Sequence, residues 1–203
     1  MKKITRLVGV INKKRKIYIF SEGRNTEPLY FEAYAHHVGD VAVEVICIAA
    51  AGVPLTIARH AQEKIKYIST KKYKKEFGDS DVVWVVFDRD EHPNISEALQ
   101  MCAQNNIYVG YSNPCFELWL ILHFKDFDAG DDRFGIQKKC ESICPGYKSS
   151  SHKVPELSTL LPKVEDAERR AEAMEARRRE DGAESPRTSV YLLTRHIRNI
   201  DPL

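Results

Sequence analysis

No stretch of the chain reaches the roughly 18 consecutive apolar residues of a membrane-spanning helix, which argues against membrane insertion. A bulk excess of charge is missing too. The 31 basic residues face 29 acidic ones, so affinity for nucleic acid would have to come from local clusters. A signal-peptide pattern is also lacking: Met1-Lys2-Lys3 opens basic, but Arg6 and Lys13–Lys16 intervene before any long apolar core or cleavage site. Without a secretory leader, the odd count of five cysteines reads as reduced thiols, and the expected compartment is cytoplasmic. Internal repeats and low-complexity tracts are absent. A hydrophobic content of 43% excludes a disordered chain, and 203 residues fit one domain with appended helices.

What is present is an alternation. Lys16–Phe20 is β-rich and apolar and ends at Ser21-Glu22-Gly23. Pro28 suits a first helical turn, so Leu29–Val38 reads as helix. Val41–Ala50 is nearly continuous in apolar and β-branched character, as strands covered on both faces are. Leu55 to Lys75 reads as one amphipathic helix, Asp81–Asp88 as the clearest buried strand, and Asn94–Asn105 as a helix capped by Asn94 or Ser96. Ile107–Tyr111 is a further strand, and Asn113-Pro114 opens an apolar helix through Phe124. This β-α-β-α-β-α-β-α order predicts an α/β fold with a mainly parallel four-stranded sheet flanked by helices. Residues 126–153 are polar, broken by glycine and proline, and read as a short helix between loops. Leu157–Arg179 is a long charged helix with a thin stripe from Leu157 to Met174, and Thr188–Arg198 a final helix. The expected division is an α/β core over 1–125 and a helical extension packing on it over 126–203, the two forming one structural unit.

Three acidic segments carry the chemistry. Asp88-Arg89-Asp90 ends the best strand, and parallel sheets gather ligands at the carboxyl ends of their strands. Side chains two apart on a strand share a face, so both carboxylates would converge and attract a hard cation such as Mg2+. The plainer reading is that an aspartate there caps the next helix. Glu22 follows the first strand at the same sheet edge; Gly23 suits a tight turn, and Thr26 an N-cap. Arg24 and the helix-start amides could grip phosphate. In Ser112-Asn113-Pro114-Cys115-Phe116-Glu117, the glutamate sits among apolar residues and needs a partner or a raised pKa; a dipole role fits equally well. His123, on the same helix, reads first as structural.

Weaker signals accompany these. Lys64 to Lys75 is a basic stretch with interleaved tyrosines, and Lys71, Lys72, Lys74 and Lys75 could contact a nucleic-acid backbone, although a solvated helix face is the commoner meaning of such a run. Cys140, Cys144 and His152 lack an obvious fourth ligand for zinc.

In combination, FSEGRNTEPLYF, VVWVVFDRDE, YSNPCFELWLILHF and SPRTSVYLL resemble, in order, the RloB-like family, which includes the AbiLii type of abortive-infection proteins and is similar to a divergent TOPRIM lineage. The resemblance runs from about Lys16 to Leu193. It implies a TOPRIM-like (Rossmann-like) fold, an anti-phage setting, and a nuclease dependent on Mg2+ or Mn2+. Glu22 matches the glutamate after the first TOPRIM strand, a general acid/base or metal ligand. Asp88 and Asp90 match the aspartate pair that holds the metal. Glu27, Asn113 and Glu117 match further family positions without an assigned role. Glu91-His92-Pro93 follows the pair where TOPRIM chains often carry a glycine or another acid, a role Glu91 could fill. The implied partners are DNA or RNA, tRNA included, and by analogy a companion ATPase; a homo-oligomer stays open. Two alternatives share the same acidic edge: a catalytically silent module binding nucleic acid or protein, and a metal-dependent phosphotransfer or nucleotide enzyme.

Overall fold

The computed structural model describes residues 14–39, 43–49, 52–89, 94–151 and 153–199. Four parallel strands follow the expected alternation: β1 (Arg15–Ser21), β2 (Val43–Ala49), β3 (Val82–Asp88) and β4 (Tyr108–Asn113). A fifth, β5 (Arg187–Thr188), runs antiparallel beside β4, and the sheet order is β2-β1-β3-β4-β5. The sheet therefore has five strands where the alternation predicts four. Two residues are too few to leave a periodic signature, and Thr188 was expected to open a helix. Instead its hydroxyl meets that of Ser112 at 2.8 Å across the strand pair.

Alternate residues along the central strands feed two cores, as a period of two requires. Ile17, Ile19, Trp84 and Val86 face α1 (Thr26–Val38), α5 (Glu117–Leu122), α8 (Val164–Asp181) and α9 (Val190–Ile197). Tyr18, Phe20, Val83, Val85 and Phe87 face α2 (Pro54–Ile68), α3 (Lys71–Phe77) and α4 (Ile95–Gln104). Residues on both sides of position 126 share the first core: the stripe residues Leu160, Val164, Ala167, Ala171 and Met174 pack with Trp119 and Leu122.

Two long helices expected from periodicity are broken. The segment after Leu55 divides at Ser69-Thr70, because the Thr70 hydroxyl accepts from the Tyr73 amide and caps a new helix, α3. Pro162 lies in a 3-10 turn, Leu161–Lys163, that separates the short α7 (Leu157–Leu160) from α8, since proline offers no amide to a continuing helix. Within the polar 126–153 stretch, α6 (Arg133–Ile143) starts at Asp132, whose carboxylate accepts from the Gly135 amide at 2.8 Å. Asn94 holds the N-cap position of α4 without a side-chain cap bond. The arginines near the end of α8 do more than meet its dipole. Arg178 is buried, pairs with Asp128 and Asp181, and donates to the Pro186 carbonyl, which clasps the 126–128 loop and the approach to β5. No helix among the described residues is long and apolar enough to cross a membrane.

Candidate active site

From β1 the chain passes to β2 on one side and later crosses to β3 on the other, so the crevice between the diverging connections lies at the carboxyl ends of β1 and β3. Glu22 is the first residue beyond β1, held there by its amide, which donates to the Val86 carbonyl at 3.1 Å. Asp88 ends β3, two residues beyond Val86, and so points to the face covered by α1 and α5. On that face the first turn of α1 supplies Glu27 and the start of α5 supplies Glu117. A cleft of about 470 Å3 forms there, lined by Glu22, Arg24, Glu27, Asp88, Glu117 and Arg133, with Ser149–Ser151 and Lys153 closing one side.

The electrostatics are those of crowded acids. Asp88, Glu27 and Glu117 are only 7%, 6% and 5% exposed. Burial, followed by the charges of Glu27, Glu117 and Glu22, holds the Asp88 carboxyl well above its ordinary range; the Arg133 guanidinium, 3.5 Å away, works in the opposite direction. Burial likewise pushes Glu27 up to about 7, against hydrogen bonds from backbone amides and with a further push from Glu117 and Glu22. Glu117 is held in place by Tyr147, whose hydroxyl donates to Oε1 at 2.5 Å, and by the Gln137 amide at 3.4 Å.

Gly23 is needed for space. Its amide donates to Glu27 Oε1 at 3.0 Å, and a Cβ on Gly23 would stand 1.9 Å from Glu27 Oε2. The tight turn expected of it is made without left-handed backbone: positive φ among described glycines occurs at Gly39, Gly52, Gly78, Gly146 and Gly182. Gly23→Ala is expected to push the Glu27 carboxylate off that amide and to destabilise the fold by about 1–3 kcal/mol. In a double-mutant cycle read by thermal unfolding, Gly23→Ala should add little on top of Glu27→Ala; fully additive losses would refute the contact.

The structure does not gather every residue singled out by the sequence. Asp90 and Glu91 lie outside the described residues, as does His152. Arg24 is exposed at the cleft rim. Asn113 lines a neighbouring groove instead, its side-chain amide donating to the Glu184 carbonyl at 2.5 Å. Lys71, Lys72, Lys74 and Lys75 sit on α3, which leads into the amino end of β3, so they stand at the sheet edge opposite the cleft. Tyr73 among them is buried and hydrogen-bonded to Tyr18 and Asp81, so it offers no ring face to a base. Thr26 is inside α1, and its hydroxyl donates to the Lys153 carbonyl at 3.2 Å rather than capping the helix. His123 is a core residue between Tyr30 and the Trp119 carbonyl, its pKa lowered to about 4 by burial. Cys140 and Cys144 are buried in the packing of α6.

Arg133, Gln137, Tyr147 and Lys153 escaped the sequence reading. All come from the polar 126–153 stretch, where no periodicity distinguishes a cleft wall from a solvated loop. The stretch reads as a short helix between loops, which α6 bears out, but nothing local says which of its side chains face the cleft.

Among the described residues, no group of three acidic, histidine or cysteine side chains is spaced to hold a metal ion as it stands. The donor chemistry nevertheless suits a hard cation: Glu22 and Asp88 offer oxygen only, in a crowd of carboxylates whose mutual repulsion a cation would relieve. A family model described as RloB-like protein matches residues 17–197. No curated protein and no solved structure matches the chain significantly.

Proposed function

Because the chain belongs to the RloB-like protein family, we propose that it is a TOPRIM-like defence effector that cleaves nucleic-acid phosphodiester bonds with Mg2+ or Mn2+. The observation that carries this reading is the meeting of Glu22 and Asp88, from two strand ends, in one cleft at the switch point of the sheet. Asp88 and Asp90 would hold the ion, with Glu22 beside them. When bound, the ion would draw charge from a phosphate oxygen and offset the charge that develops during cleavage. Glu22 moves the proton, taking it from water or giving it to the leaving oxygen. Arg24, Arg133 and Lys153 line the same cleft and can bind phosphate oxygens, Arg133 reorienting from Asp88 to do so.

A second reading, a silent TOPRIM-like binding module, draws on the Arg133–Asp88 ion pair, in which a cation already answers the aspartate. The two separate in one experiment. Purified protein is incubated with plasmid, single-stranded DNA and total RNA across a titration of Mg2+ and of Mn2+. Metal-dependent strand breaks are expected from the nuclease. Binding without cleavage under every condition would select the module.

A further inference from the structure

The acidic cleft does not end at Lys153 and Arg133. Both residues also line a second groove, of about 800 Å3, that continues past Arg89, Asn113 and Gln137 to Phe134. Phe134 lies in the first turn of α6 and is 78% exposed, while the next residue but one, Ile136, is fully buried. An apolar ring of this size held in water, in a groove that three cations also line, has no packing role among the described residues.

The groove carries a small excess of positive charge. Arg89, Arg133 and Lys153 line it against two carboxylates, Asp131, which pairs with Lys139 at 2.9 Å, and Asp132, which caps α6. Arg89 is anchored by Glu184, which fixes its position at the groove wall. An apolar protein segment would meet one ring amid charged groups, whereas a nucleic-acid strand needs that combination: cations for its phosphates and an aromatic face for a base. In a duplex the base faces are covered by their neighbours, so only an unpaired base can lie on Phe134.

We propose that the groove running from the acidic cleft to Phe134 binds a single-stranded segment of nucleic acid, with an unpaired base stacked on Phe134 and its phosphates along Lys153, Arg133 and Arg89. This rests on the nucleic-acid reading of the cleft and specifies its substrate as unpaired. It also places the strand on the cleft side of the sheet, away from the lysines of α3.

The test measures binding in EDTA, where cleavage is silent. A labelled strand of about 12 nucleotides, long enough to span such a groove, is titrated by fluorescence anisotropy, as DNA and as RNA, each single-stranded and as duplex. Wild type should prefer the single strand, and Phe134→Ala should bind it about tenfold more weakly, while Phe134→Tyr stays near wild type. Duplex binding should be the same for all three proteins. Phe134 is exposed, so thermal unfolding should show all three equally folded. The sugar whose single strand responds to Phe134→Ala names the substrate as DNA or RNA. Unchanged single-strand binding in Phe134→Ala, an equal loss on duplex, or no binding of single strands by wild type would each overturn the proposal. A Phe134-dependent single-strand affinity in a protein that never cleaves would sustain it while removing the nuclease reading.

Discussion

Asp88→Asn is expected to slow metal-dependent cleavage by orders of magnitude and, at the same time, to make the protein more stable at pH 8. Asp88 contributes a charge where the proposed reaction needs one, and removing a single electrostatic stabiliser from an active site slows reactions by about 100- to 1,000-fold. In the fold alone, however, that charge is a burden. The carboxylate is buried, faces Glu27, Glu117 and Glu22, and has its pKa held well above the ordinary range. A group whose pKa is raised by folding contributes stability below its unfolded pKa and loses that contribution as pH rises through its folded one. Asparagine keeps the shape without the charge, so its melting temperature in EDTA should exceed that of wild type at pH 8 and approach it towards pH 4. Arg133, which loses its ion pair with Asp88, is about one-third exposed and can be hydrated there instead. Cleavage rates at saturating Mn2+, beside thermal scans in EDTA, read both effects. An Asp88→Asn protein that cleaves like wild type ends the catalytic reading; one that melts earlier at pH 8 ends the repulsion account.

Glu27→Gln should give a large pH-dependent change in stability. Burial raises Glu27 from 4.5 to about 7, so the protonated form is favoured by folding. Its contribution is complete below pH 4.5 and disappears as pH rises through about 7, leaving wild type weaker at pH 8 by up to about 3 kcal/mol. Glutamine stays neutral and keeps an oxygen for the Gly23 amide. Its melting temperature should therefore exceed that of wild type by up to about 6–12 °C at pH 8, with little difference at pH 4.5. His123 acts in the other direction. Its pKa is lowered to about 4, so its neutral form stabilises the fold above about 6.5, and that contribution is lost as pH falls through 4. Both proteins carry His123, so comparing them at the same pH cancels it. A constant gap between the two melting curves across this range would show that Glu27 is not a buried, burdened carboxylate.

The strands of the parallel sheet were legible because strand character is local. Apolar, β-branched runs such as Val82–Asp88 state their own conformation, and breaks such as Ser21-Glu22-Gly23 state where they end. Glu22 and Asp88 could be placed at strand ends for the same reason. Helix boundaries were less legible where one residue decides them. Thr70 and Pro162 interrupt periodic patterns that otherwise continue, and the two-residue β5 exists only because β4 lies beside it.

The sequence by itself determined the alternation of strands and helices and the placing of Glu22 and Asp88 at strand ends, because both depend on neighbours within a few residues. Tertiary structure alone decided that Glu27 and Glu117 crowd Asp88, that Arg133 answers it, that the α3 lysines stand at the far edge, and that Phe134 faces solvent along the same groove. Those relations follow from strand order and from how helices settle on the sheet. Contacts such as Tyr147 to Glu117, 30 residues apart, or Tyr30 to His123, 93 apart, have no local pattern that could announce them.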